Sequence, residues 1–156
     1  MPAPFFYCPD LPSEIGVHIV NEETSRHIVQ VLRMKTGASL RLTDGKGRLA
    51  EATVLNPHKK NTTVQISHIT STPSLAGGTI AISLVKHPAR FEWFLEKATE
   101  LGVASIVPIL SQRTEKHQFR HDRMMGILVS AMLQSQQTYL PTLHEPVTFS
   151  NFIETQ

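Results

Sequence analysis

The feature that most constrains this chain is a change of periodicity across a short linker. Before it, short runs alternate apolar and polar residues between turn signals. After it, nearly continuous apolar runs flank a helical pattern. The stretch Thr70-Ser71-Thr72-Pro73-Ser74-Leu75-Ala76-Gly77-Gly78 separates the two, and its Gly, Pro, Ser and Thr content is that of a connection. Residues 1–70 are therefore expected to form one domain, 71–78 a linker and 79–156 a second domain. The fold class is α+β overall: an antiparallel β-barrel followed by the front half of an α/β unit.

In the first segment, residues 4–9 and 17–20 read as short strands. Asn21 is a good N-cap, followed by Glu22 and Glu23 where the helix dipole favours acids. Ile28, Val31 and Leu32 share one helical face, and Gly37 is expected to end that element. Residues 38–43 alternate at period two. Asp44-Gly45 signals a tight hairpin because its turn needs positive φ, and the return strand spans about Arg48 to Leu55. A further turn covers residues 56–61, and Thr62 to Ile69 is another strand.

In the second segment, Thr79 to Val85 reads as a parallel strand covered on both faces. A helix from Ala89 to Leu101 turns Phe91, Phe94, Leu95, Ala98 and Leu101 inward, with Gly102 just past its end. Ser105 to Leu110 is a second buried strand, completing a β-α-β unit. A second helix is expected from His121 to Gln137, residues 140–143 could open a third strand, and Thr148 or Ser150 could cap a last helix. Two or three parallel strands and two helices make a thin α/β layer. The expectation is that the native chain continues past Gln156, or that a partner completes the sheet.

Charge is distributed unevenly. Residues 26–60 hold eight basic side chains against Asp44 and Glu51, whereas basic and acidic residues balance from 71 onward. That asymmetry points to a polyanion contacted by the first segment. A helix ending in Arg33 and Lys35 beside a glycine-rich hairpin offers guanidinium, ammonium and backbone amide groups to phosphates. The candidate polyanion contacts are His27, Arg33, Lys35, Arg41, Lys46, Lys59 and Lys60. The α/β segment offers Arg90 and Arg113 at the C-terminal ends of its two strands, where α/β sites form. Glu115 is the candidate general base.

Other chemistries are excluded. No glycine-rich phosphate loop follows a strand, and the first β-α turn, Lys86-His87-Pro88-Ala89-Arg90, has no glycine to admit a pyrophosphate. No Ser or Cys sits in a nucleophile elbow. His117 and His121 are four apart but lack a third ligand, so no metal set is read. Cys8, the one cysteine, reads as a small buried residue. No signal segment or membrane-length apolar run is visible, and a cytoplasmic location is expected.

Two segments carry a family resemblance. The first is His27-Ile28-Val29-Gln30-Val31-Leu32-Arg33-Met34-Lys35-Thr36-Gly37 with Asp44-Gly45-Lys46-Gly47. The second is Lys86, Arg90 to Trp93 and Lys97-Ala98-Thr99-Glu100-Leu101-Gly102-Val103. Together they resemble the RsmE-type ribosomal RNA small-subunit uridine N3-methyltransferases. Residues 106–109 and 113–115 are similar to further family segments, with the Arg and Glu order changed, and Gln134 alone is retained from a Glu-Gln pair on the second helix.

The resemblance implies a PUA-like first domain and a SPOUT-type second domain with a C-terminal trefoil knot, working as a dimer. It implies S-adenosylmethionine as cofactor and a uridine of 16S ribosomal RNA, in the small ribosomal subunit, as substrate. Residues 1–156 stop before the family's Gly-Pro-Glu-Gly-Gly and Leu-Arg-x-Glu-Thr loops, so no cofactor residue transfers. These residues alone are expected not to methylate, which keeps open a non-enzymatic RNA-binding or dimerisation module.

Overall fold

The computed structural model describes residues 2–74, 77–113 and 118–156. The chain divides into two compact units, Met1–Pro73 and Ser74–Gln156.

The first unit is one five-stranded sheet in the order β1-β3-β4-β5-β2. Its strands are β1 Phe5–Tyr7, β2 Gly16–Ile19, β3 Ser39–Thr43, β4 Arg48–Asn56 and β5 Thr63–Ser71. Alternation builds the core. Leu40, Leu42, Ala50, Ala52, Val54, Val64 and Ile66 point to one side and are all buried, joined by Phe6 and Ile28. The sheet departs from the wholly antiparallel expectation in one place: β1 runs parallel to β3, with Phe6 opposite Leu42. The long excursion between them, through β2 and the helix, gives the chain room for a parallel pairing.

The helical element is shorter than its sequence indicates. Helix α1 covers only Glu22–Arg26, capped by the Asn21 side chain, which accepts from the Thr24 amide at 2.8 Å. It widens into a π-helical turn, His27–Val31, closed by the Leu32 amide donating to the His27 carbonyl. Arg33 then takes φ +50 and ends the helix four residues before Gly37. Val31 and Leu32, expected on the buried face, are 65% and 43% exposed because the wider turn rotates them outward, and Ile28 alone stays at 0%.

The second unit pairs β6 Thr79–Ser83, β7 Ser105–Leu110, β8 Thr142–Leu143 and β9 Val147–Thr148 in parallel. Both short strands lie along β7. Helix α2 is Pro88–Glu100, with proline in its first turn where no amide is missed. Helix α3 is His121–Gln134 and α4 is Phe149–Glu154. Phe91, Leu95 and Ala98 of α2 pack with Met124 and Leu128 of α3 against Ile106, Ile82 and Leu84.

Three expectations fail here. Strand β6 is covered on one face only: Thr79, Ala81 and Ser83 are exposed while Ile80 and Ile82 are half-buried. The small and polar residues alternate with the isoleucines, so the run was two-faced from the start. Leu101 is 84% exposed, because it is the C-cap residue and has left the helical face. Helix α3 stops at Gln134, where the Ser135 hydroxyl donates back to the Ala131 carbonyl at 2.6 Å and Gln136 takes φ +60.

Candidate functional site

The register of the first sheet decides where the basic residues gather. The Gly37 amide donates to the Val54 carbonyl at 2.8 Å, and the Thr36 hydroxyl to the Leu55 carbonyl at 3.2 Å. The loop that carries Arg33 and Lys35 is thereby seated on the C-terminal end of β4. That same strand end leads into the turn that carries Lys59 and Lys60. This turn is held rigid from inside. The His58 imidazole accepts from the Lys60 and Asn61 amides, and the Thr62 hydroxyl donates to the His58 carbonyl at 2.7 Å. Arg33, Lys35, Lys59 and Lys60 are all exposed. Arg33 keeps a positive φ without being glycine, a conformation that costs energy and persists only where packing imposes it. The buried Ile28, whose carbonyl accepts from the Met34 amide, supplies that packing.

The other three candidates have different settings. Lys46 is exposed in the β3–β4 turn, at the far end of the nine-residue β4, roughly 25 Å away at the usual rise per strand residue. Arg41 is half-buried; its guanidinium lies 4.9 Å from the Phe5 ring centre and donates to the Ala3 carbonyl. His27 is exposed, with its ring edge-on to Phe6 at 5.5 Å.

The glycine-rich hairpin is not the phosphate cradle that its composition implied. Asp44 is 2% exposed. Its carboxylate accepts from the Lys46 amide at 2.8 Å, the Arg48 amide at 3.1 Å and the Arg48 Nε at 2.8 Å, while the Gly45 amide is taken by the Thr43 hydroxyl. Arg48 continues the chain of bonds to the carbonyls of Pro12 and Leu11 at 3.0 and 2.8 Å. The Lys46 and Arg48 amides are therefore spent on Asp44 and the Gly45 amide on Thr43, and the motif ties the turn to the loop after β1. Burial works to raise the Asp44 pKa, but the hydrogen bonds from Arg48 and the two amides outweigh it and hold the carboxyl below its ordinary value.

In the second unit, a cleft of about 660 Å³ opens at the C-terminal end of β7. It is lined by Leu110, Ser111, Gln112, Arg113, Thr148, Phe149 and Ser150. The pairing of Leu110 with Thr148 brings its two walls together. Arg113 lines the cleft. Arg90 lies on the exposed first turn of α2 and is not among the lining residues. Glu115 and His117 fall outside the described residues. Sequence reasoning named Thr148 and Ser150 only as caps. Their place in the cleft follows from β9 pairing with β7, which two-residue strands do not announce.

The α2 surface resolves a puzzle of spacing. Glu96 and Glu100 are like charges one turn apart, and Lys97 reaches both, at 3.1 and 3.2 Å. Glu92 instead pairs with Arg123 of α3 at 2.7 Å. Burial, with the Asp10 carboxylate beside it, pushes the Cys8 thiol up to about 12.

Two family models match the chain. Residues 20–67 match the RNA methyltransferase PUA domain and residues 74–156 the RNA methyltransferase domain. The chain is 30% identical over 131 residues to the ribosomal RNA small subunit methyltransferase E of Synechocystis, covering 82% of this chain and 43% of that protein. It is 20% identical over 139 residues to the enzyme of the same name from Rickettsia conorii, covering 88% and 57%. The chain thus spans about half the length of these curated relatives. A probable rRNA methyltransferase from Porphyromonas gingivalis superposes with a TM-score of 0.85 at 33% identity, over 96% of this chain and 63% of that one. A Neisseria gonorrhoeae ribosomal RNA small subunit methyltransferase E, solved bound to S-adenosylmethionine, gives 0.84 at 24% identity over 99% and 65%, a likeness of fold. The buried alternating sheet, the basic end of that sheet and the β-α-β unit beyond it thus coincide with two family domains in order, and the chain belongs to the RsmE-type RNA methyltransferases.

Proposed function

We propose that the protein to which these residues belong methylates the N3 nitrogen of a uridine in 16S ribosomal RNA, with S-adenosylmethionine as methyl donor, and that residues 1–70 supply its grip on RNA. The observation that carries the RNA role is the gathering of Arg33, Lys35, Lys59 and Lys60 on one end of the sheet by the β3–β4–β5 register. Four cations on rigid turns neutralise phosphates without reading sequence. Lys46, Arg41 and His27 belong to a second, weaker contact set.

In the α/β unit, the β7 cleft presents the Arg113 guanidinium and the neutral polar groups of Ser111, Gln112, Thr148 and Ser150. That set suits an anion rather than a sulfonium cation, so no residue here is assigned to hold the cofactor. Arg113 fits another part of the reaction. A uridine N3 must lose its proton before it attacks a methyl group, and a guanidinium near the ring oxygens stabilises the resulting anion. Glu115, two residues on, is our proposed base, and Arg90 a proposed contact to the RNA backbone. The whole protein acts as a homodimer in the cytoplasm on this reading.

The test is RNA binding across a salt series with 16S fragments. Reversing Arg33 and Lys35 together to Glu should weaken binding by at least tenfold at moderate salt. It should also reduce the slope of log K against log salt by about two, one for each phosphate no longer neutralised. An unchanged slope removes this end of the sheet from the interface. Transfer of labelled methyl from S-adenosylmethionine to 16S RNA by the whole protein tests the activity separately.

A further inference from the structure

The two edge strands of the first sheet, β1 and β2, share no ladder, yet side chains meet across the gap. Cys8 directly follows β1, Asp10 lies two residues on, and His18 sits in β2. The Cys8 Sγ donates to Asp10 Oδ1 at 3.3 Å and lies 3.5 Å from His18 Nε2, and His18 Nε2 is 3.9 Å from Asp10 Oδ2. One ligand atom from each residue falls within 4.8 Å of the other two. Around a tetrahedral zinc ion with Zn–S near 2.3 Å and Zn–N or Zn–O near 2.0–2.1 Å, neighbouring ligand atoms stand roughly 3.3–3.6 Å apart. The Sγ–Oδ1 and Sγ–Nε2 spacings already have that value; the 3.9 Å spacing to His18 is made by the other carboxylate oxygen, and a turn of the Asp10 side chain, which is 63% exposed, brings one oxygen to both partners.

From this geometry we propose that Cys8, Asp10 and His18 form a site for a zinc ion, which clips β1 to β2 and closes the seam of the sheet. The donor set is one sulfur, one imidazole nitrogen and one carboxylate oxygen, the mixture that a borderline-soft ion accepts and magnesium or calcium does not. Thiolate and carboxylate together balance the ion's charge. Binding forms the zinc–sulfur bond and releases the Cys8 thiol proton to solvent. The buried Cys8 and the mostly buried His18 fix two ligands from the inside, and the exposed Asp10 leaves the fourth position open to water. The backbone is prepared for this by other bonds: the Cys8 amide donates to the Thr43 carbonyl at 2.7 Å, and the Leu11 amide to the Cys8 carbonyl at 3.0 Å. The loop is thus held in place without the ion, and the proposal is independent of the RNA and methyl-transfer readings.

The chain has one cysteine among eight histidines, which makes the assignment testable. The intact 156-residue chain is titrated with cobalt(II) as a spectroscopic stand-in for zinc, and zinc affinity is read by competition with a chromogenic chelator. A thiolate-to-cobalt charge-transfer band arises only from Cys8, so zinc held adventitiously by surface histidines is silent in it. The expected result is a band that saturates at one equivalent and is displaced by zinc. It should be lost in Cys8→Ser, and zinc affinity should fall by more than the ~10–100-fold that loss of an outer-shell partner costs in Asp10→Asn and His18→Gln. Asp10→Asn, at an exposed position, keeps the fold and so remains informative if either buried variant unfolds. Absence of the band at excess cobalt overturns the site. A band and an affinity unchanged in Asp10→Asn and His18→Gln overturn the triad.

Discussion

The two units bury their apolar surface in different ways. In the first, the strands do the work: alternation on β3, β4 and β5 puts seven aliphatic side chains on one face, every one less than 5% exposed. In the second, the helices do it: α2 and α3 press Phe91, Leu95, Met124 and Leu128 onto a sheet whose strand β6 stays open on one face. An antiparallel sheet with one buried face needs only a two-residue period, whereas a parallel sheet depends on elements delivered from elsewhere in the chain. The first unit accordingly fixes its candidate contact residues by register and the second by loops at a strand end.

If the units are separate cores, a cavity in one should leave the other intact. Leu42→Ala and Leu95→Ala each empty a fully buried position and should cost about 3 kcal/mol. Hydrogen exchange should show each loss confined to the unit that carries it. Protection lost in both units from a single variant would mean that the two cores unfold as one.

A smaller effect, about 2 kcal/mol, is expected for Asp44→Asn, which leaves Arg48 without its buried carboxylate. The sign of its pH dependence follows from the lowered pKa of Asp44. The carboxylate stabilises the fold above the ordinary carboxylate range, and that contribution is lost as the pH falls through the depressed value. Acid titration should therefore loosen the first unit in the native chain, and Asp44→Asn should remove that part of the acid sensitivity. Urea midpoints measured across pH check both.

The smallest effect belongs to the exposed aromatic of α2. Trp93 is 63% exposed, so Trp93→Ala should shift stability by no more than about 0.5 kcal/mol, seen as an almost unchanged thermal midpoint. A large loss would mean that the α2 surface is covered in the working protein.

Much of this was legible in the residues. The Asn21 cap, the Asp44-Gly45 turn, the amphipathic face of α2 and the glycine at 102 each act within a few positions of themselves, and each lies where the pattern indicated. The candidate site was less legible. Seven basic side chains were nominated together, and the ladder sets Lys46 at the opposite end of β4 from Lys59 and Lys60, with Arg41 opposite Glu51 between them. The Asp44 hairpin offered amides to phosphate on paper, but a carboxylate two to four residues away takes them first. Arg113 reaches a cleft whose other wall comes from residues 148–150, more than thirty positions on.

Most of the longer elements and the family could be read without coordinates, because periodicity, capping and turn chemistry are short-range and family motifs are local strings. Only the folded chain could show that β1 runs beside β3, that Arg33 and Lys35 join Lys59 and Lys60, and that Cys8 and Asp10 face His18. Those meetings are set by strand register and by closure of the sheet. A shift of one residue in either would reverse the faces and separate the side chains, and no local pattern records which register the folded core selects.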